Sequence, residues 1–210
     1  SVILTADVAD VYLWSTGETT QSITVNQSGS YNVLITLASG CSAQSADVVV
    51  NVNSNPTANI NASGPLSFCT GDSVILTADV ADFYLWSTGA TTQSITVNQT
   101  GNYNVLITLA SGCSAQSADV VVTVNSNPTA NIAASGPLSF CNGDSVILTA
   151  DIADTYLWST GETTQSITVN QSGNYNVLIT LASGCSAQSA DVVVTVNSNP
   201  TANINASGPL

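Results

Sequence analysis

The stretch "FCTGDSVILTADVADFYLWSTG", Phe68 to Gly89, decides the fold, because it alternates and because it returns. "SVILTAD" sets Val74, Leu76 and Ala78 on one face of an extended chain. "FYLWST" sets Tyr84 and Trp86 on one face and Leu85 on the other. The same words come back as "FCNGDSVILTADIADTYLWSTG" from Phe140 to Gly161, and the chain opens with "SVILTADVADVYLWSTG". Ser1, Ser73 and Ser145 are equivalent, so the period is 72 residues. Residues 1–72 and 73–144 differ at seven positions: 11/83, 18/90, 28/100, 30/102, 51/123, 61/133 and 70/142.

The rest of the period repeats the pattern. "SITV" (Ser94–Val97), "NYNVLITL" (Asn102–Leu109) and "ADVVVTV" (Ala118–Val124) are period-2 strands, divided by turns rich in Gly, Asn and Ser. About seven short strands per period predict a small antiparallel sandwich. Asn55-Pro56 and Asn127-Pro128 punctuate the repeat and mark the expected junctions. The expected organisation is therefore a module lacking its first strand (1–54), two complete modules (55–126 and 127–198) and the first-strand segment of a further module (199–210). The chain stops six residues short of three periods, and the missing six read Ser-Phe-Cys-x-Gly-Asp. That leads us to expect a window of a longer array, in which Thr201, Ala202, Asn203, Ile204 and Asn205 of one unit complete the module that Ser1 begins in the next, either because the chain continues covalently through the missing six or because separate subunits exchange the strand. The expected segment extends to Leu210.

Composition narrows the function classes. The chain has no Lys, Arg, His or Met, and 13 Asp plus Glu give a net charge of −13. Without cations it has nothing to set against phosphate, which excludes electrostatic nucleic-acid binding. It carries no apolar run long enough to span a bilayer. Only 6% of residues are charged and 44% are apolar, the reverse of a disordered acidic chain. Side-chain salt bridges and Lys–Asn isopeptide bonds are ruled out.

Taken together, "FC-x-GDSV-x-LTA", "YLWSTG-x-TTQSITV", "SG-x-Y-x-V" and "GCSA" resemble the immunoglobulin-like repeats of long secreted and cell-surface proteins of the Bacteroidota, associated with type IX secretion. The resemblance implies an all-β fold of tandem immunoglobulin-like modules. Trp14, Trp86 and Trp158 resemble the core tryptophan of such sandwiches, and Tyr31, Tyr103 and Tyr175 their tyrosine corner. The family pattern pairs each Phe-Cys cysteine with the Gly-Cys cysteine that follows it. That implies Cys69–Cys113 and Cys141–Cys185, each closing a loop worth about 4 kcal/mol in the chain-entropy model. Cys41 would then have its partner outside the chain. The rival pairing, Cys41–Cys69, would link adjacent modules. Either implies an oxidising compartment, and hence an extracellular or cell-surface location. "DSV" resembles the short O-glycosylation motif of that phylum, which makes Ser73 and Ser145 candidates; the alternative is an ordinary strand start.

The remaining candidates are weaker. Asp79 and Asp82 flank a loop before the Trp strand, where carboxylates with backbone carbonyls suit Ca²⁺, and solvated turn residues are the alternative. No other metal or cofactor is expected. Acid–base catalysis lacks any His, Lys or Arg to support it, so we expect no enzyme. Ile75, Leu85, Leu106 and Val121 should point away from the core, and could align into an apolar stripe for lateral contact. The expected function is a structural protein of an extracellular fibre or stalk, with other copies of itself as partners. The alternative is an adhesin whose modules bind glycan or another cell directly.

Overall fold

The computed structural model describes residues 1–205, 207 and 208. Every strand pair lies within 2–50, 60–125 or 132–197. The first stretch forms β1 (Val2–Thr5), β2 (Val11–Trp14), β3 (Ser22–Val25), β4 (Gly29–Tyr31), β5 (Val33–Thr36), β6 (Ser42–Gln44) and β7 (Val48–Val50). The second forms β8 (Ile60–Ala62), β9 (Ser67–Cys69), β10 (Val74–Ala78), β11 (Phe83–Trp86), β12 (Ser94–Val97), β13 (Gly101–Tyr103), β14 (Val105–Thr108), β15 (Ser114–Gln116) and β16 (Val120–Asn125). The third forms β17 (Ile132–Ala134), β18 (Ser139–Cys141), β19 (Val146–Ala150), β20 (Thr155–Trp158), β21 (Ser166–Val169), β22 (Gly173–Tyr175), β23 (Val177–Thr180), β24 (Ser186–Gln188) and β25 (Val192–Asn197). No helix occurs among the described residues.

The second stretch shows the whole design. One sheet runs β12-β10-β8, all antiparallel. The opposite sheet pairs β11 with β14 and β14 with β15, while β13 pairs with β16 and β16 with β9. Here β13–β14 and β15–β16 are two long strands, each broken once. The register slips by one residue between Leu106↔Gln116 and Tyr103↔Val120, a bulge at Ser117–Asp119. Ser117 lies buried at the bulge, and its hydroxyl accepts the Val105 amide at 3.1 Å, so the break leaves no orphaned donor there. The β9–β16 pair is parallel, with Asn125 opposite Cys69. These features make each complete stretch an immunoglobulin-like β-sandwich.

The core follows the alternation. Val74, Leu76, Ala78, Trp86, Val105, Ile107 and Val122 are each at most 2% exposed, whereas Ile75, Leu85 and Val121 face outward. Trp86 is locked by an Nε1–H bond to the Thr92 carbonyl at 2.8 Å, repeated at Trp14–Thr20 and Trp158–Thr164. Tyr31, Tyr103 and Tyr175 are buried, and each donates its hydroxyl to the carbonyl four residues upstream, on Gln27, Gln99 and Gln171.

One expectation is overturned. The disulfide is Cys69–Cys185, with a Cα–Cα distance of 5.6 Å, and it joins the second stretch to the third. Cys69–Cys113, Cys141–Cys185 and Cys41–Cys69 do not form; Cys41, Cys113 and Cys141 are thiols. The reason is polarity. Cys69 sits beside Asn125, where β16 leaves for the third stretch. The Cys113 sulfur instead lies 3.8 Å from the Asn53 carbonyl, where the chain arrives from the first stretch. The two cysteines of one module occupy opposite poles.

Candidate functional site: the junction between modules

The junction is built from two short elements that the alternating strands carry to adjoining poles. The Phe-Cys strand, β9, ends against the last residue of β16. Thr70 donates both its amide, at 2.8 Å, and its hydroxyl, at 3.0 Å, to the Asn125 carbonyl. Asn125 returns side-chain bonds to Ser67 and Phe68, and Asn127 donates to the Thr70 carbonyl at 3.0 Å. The asparagines of the "TVNSNP" stretch, Thr123–Pro128, thus fasten the outgoing chain to the Phe-Cys strand.

The partner element is the Gly-Cys turn of the next module. Leu181 donates its amide to the Cys185 carbonyl, and Gly184, at φ +85°, closes the turn onto the Leu181 carbonyl. The Asp154 carboxylate accepts the Ala182 amide at 2.6 Å and pins this turn to the loop ahead of β20. Cys185 is fully buried, its sulfur 3.9 Å from the Asn125 carbonyl.

The first junction repeats half of this arrangement. Asp82 holds the Ala110 amide at 2.6 Å, Gly112 has φ +83°, and the Cys113 thiol points at the Asn53 carbonyl at 3.8 Å. Asp82 therefore positions a cysteine turn. Asp79 is also occupied, since its carboxylate accepts both the amide and the side-chain NH₂ of Asn59, at 3.0 and 2.8 Å. The Ca²⁺ candidates are thus each committed to separate donors, and no acidic or Cys cluster suited to a metal exists among the described residues. Ser73 and Ser145 lie exposed immediately before β10 and β19.

A second site is the open flank of the first module. β1 pairs with β3 alone, whereas its counterpart β10 also pairs with β8. In the complete modules Ala58, Ile60 and Phe68, or Ala130, Ile132 and Phe140, pack against the core. In the first, a cavity of about 470 Å³ takes their place, lined by Leu4, Ala6, Trp14, Val33, Ile35 and Val48. The segment Thr201–Asn205 forms no strand, and Ile204 is 99% exposed. Ala206, Pro209 and Leu210 of the expected inter-unit segment lie outside the described residues.

Sequence reasoning missed the β9–β16 parallel pair and the part that Asp82 and Asp154 play. A signal for the first was present in the alternation of Leu66 and Phe68 ahead of Cys69.

No family model matches the chain, and no curated protein matches it. Among solved structures, it is similar to extracellular domains 3–5 of Drosophila OTK (13% identity, 89% of this chain and 85% of that one, TM-score 0.40). It is also similar to murine CEACAM1b (14% identity, 67% and 100%, TM-score 0.37). A third is the three N-terminal domains of the outer capsid protein Hoc of bacteriophage RB49 (22% identity, 67% and 59%, TM-score 0.35). At these scores the superpositions are loose, and the fold assignment rests on the strand pairing of the chain itself.

Proposed function

We propose that this chain is a structural protein of an extracellular fibre or surface stalk, in which units add head to tail through a shared strand. The observation that carries the reading is a match between two parts of the molecule. The first module has an open edge along Leu4–Ala6 and a cavity where an Ala-x-Ile segment packs in its sisters. Thr201–Asn205 is such a segment, with Ala202 and Ile204 at the positions of Ala58 and Ile60. The polar groups match as well. Asp79 and Asp151 each take two bonds from Asn59 and Asn131, while Asp7, their counterpart, accepts none among the described residues. Asn203 is the corresponding donor. Seating it gives antiparallel strand addition, and a head-to-tail contact that does not close propagates into an open fibre. The disulfide between modules supports an oxidising, extracellular setting. The Bacteroidota-type repeat pattern agrees with that placement.

The test is assembly of the full chain under reducing conditions, followed by negative-stain imaging. Long uniform filaments are expected, and Ile204→Asp, which puts a charge into the apolar slot, should abolish them. Denaturing electrophoresis of native fibre under reducing conditions separates a covalently continuous array, seen as a very large species, from exchanged subunits, seen as one band near 21.3 kDa. Filaments from Ile204→Asp as abundant as from the parent would overturn the reading. An adhesin reading draws on one feature, the outward Phe83 beside Leu85, 65% and 51% exposed. Dispersed monomers that bind on a glycan array would favour it.

A further inference from the structure

We infer that Cys69–Cys185 is one rung of a repeating ladder, in which the Phe-Cys cysteine of each module bonds the Gly-Cys cysteine of the module after it, so that Cys141 of one copy bonds Cys41 of the next. Three observations carry this. The formed bond joins successive modules across 116 residues, whereas the two cysteines within one module lie at opposite poles. The junction one module earlier is already set for the same bond: Cys113 lies 3.8 Å from the Asn53 carbonyl, as Cys185 lies 3.9 Å from that of Asn125, and both turns are held by an aspartate at 2.6 Å. At the far end β18 pairs with β25, placing Cys141 opposite Asn197 just as Cys69 lies opposite Asn125, and Cys141 is an exposed thiol. Cys41, equally exposed, is the Gly-Cys cysteine of the first module.

The copy-to-copy rung rests on the head-to-tail reading proposed above; the pairing rule itself does not. The bond requires an oxidant, and a low-molecular-weight disulfide such as oxidised glutathione suffices. The Cys141 thiolate attacks it, expels one glutathione thiolate and forms a mixed disulfide. The Cys41 thiolate of the following copy then displaces the second glutathione. Two protein thiols become one disulfide, one glutathione disulfide becomes two thiols, and the protons lost by the cysteines are taken up by the released thiolates. The product is a fibre laced at each junction as well as seated by a strand.

The test has two arms. In the first, the hexapeptide Ser-Phe-Cys-Thr-Gly-Asp is fused ahead of Ser1 of the full chain, and disulfides are mapped in unreduced peptic peptides; trypsin has no site in a chain without Lys or Arg. The added cysteine should bond Cys113. A bond to Cys41, or a Cys113 that stays a thiol, overturns the ladder whether or not fibres form. In the second, the unmodified chain is incubated in a mixed reduced and oxidised glutathione buffer. Non-reducing electrophoresis should show multiples of the monomer that collapse with reductant, with a Cys141–Cys41 peptide in the digest. Cys141→Ser and Cys41→Ser should each remove the ladder, and Cys113→Ser should leave it. Filaments without the Cys141–Cys41 peptide overturn the rung and leave strand addition standing. Loss of filaments in the reduced protein breaks strand addition, while the first arm still decides the pairing.

Discussion

The first and second modules are nearly one sequence in two environments. Residues 1–54 and 73–126 differ at five positions, and the residues that lose cover are the same in both. Val74 is 2% exposed but Val2 is 47% exposed; Leu76 is fully buried but Leu4 only half-buried. β16 runs six residues and β7 only three, which leaves Val52 exposed where Val124 is half-buried. What the second module has in addition is β8 and β9, one on each sheet. Six residues of strand thus close a core that the remaining strands shape but do not seal. An unpaired edge beside exposed apolar surface is what the proposed strand addition would cover.

The largest expected effect is on the link that only the second and third modules share. Closing a loop across 116 residues is worth about 5 kcal/mol in the chain-entropy model. Cys185→Ser should lower the denaturant midpoint of the second and third modules together and leave the first unchanged. Equal midpoints for oxidised and reduced protein would show that the bond does not couple them.

Next comes the core. Trp86→Ala removes a side chain only 2% exposed and should cost roughly 3–5 kcal/mol. Trp14→Ala should fall at or below the lower end of that range, because Trp14 already borders the open cavity. Leu85→Ser, on the outward face, should stay within about 0.5 kcal/mol, as surface changes do. Urea titrations of the three variants give the ranking, and equal losses at Trp86 and Leu85 would contradict the alternation. If Leu85 makes a lateral contact, the serine variant loses fibre bundling and keeps its fold.

Those two residues also show what the sequence could and could not convey. Alternation through Val74, Leu76 and Ala78, and the opposed Leu85 and Trp86, is local physics, so inward and outward faces were legible. The tryptophan and tyrosine positions were legible by resemblance. The cysteine pairing was not. Cys69 to Cys113 and Cys69 to Cys185 both join a Phe-Cys to a Gly-Cys, and they differ by one period. Near-identical modules carry no local mark of which neighbour a turn faces; only the polarity of the folded sandwich decides. The Asp82 clamp was illegible for a related reason. Its partner is a backbone amide 28 residues away, which has no side-chain signature.

The tyrosine corner gives a smaller effect, and one that should not differ between modules. Tyr31 and Tyr103 are 8% and 9% exposed and bond Gln27 and Gln99 at 2.8 and 2.9 Å. Tyr31→Phe and Tyr103→Phe should each cost about 1 kcal/mol, the usual net worth of such a bond. A match here, beside a mismatch between Trp14→Ala and Trp86→Ala, confines the defect of the first module to its open flank. A larger loss at Tyr31 would mean that the whole first sandwich is looser.

The smallest effect uses one of the five differing positions. Glu18 of the first module stands where the second has Ala90. Its carboxyl is held below its ordinary value, first by a hydrogen bond from the Thr16 side chain and then by its own backbone amide. A carboxylate whose value is lowered on folding contributes stability that is fully present above the unfolded value, roughly pH 4.3, and is lost as pH falls through the lower folded one. The first module should therefore carry an acid-sensitive increment at this turn that the second lacks. The increment is small, because the group is fully exposed to solvent. Carboxyl-carbon NMR titration of Glu18 reads it directly. Thr16→Ala should move the midpoint back toward the ordinary value. An unchanged Glu18 midpoint in Thr16→Ala would remove the hydroxyl as the cause and leave the turn's backbone amide to account for the shift.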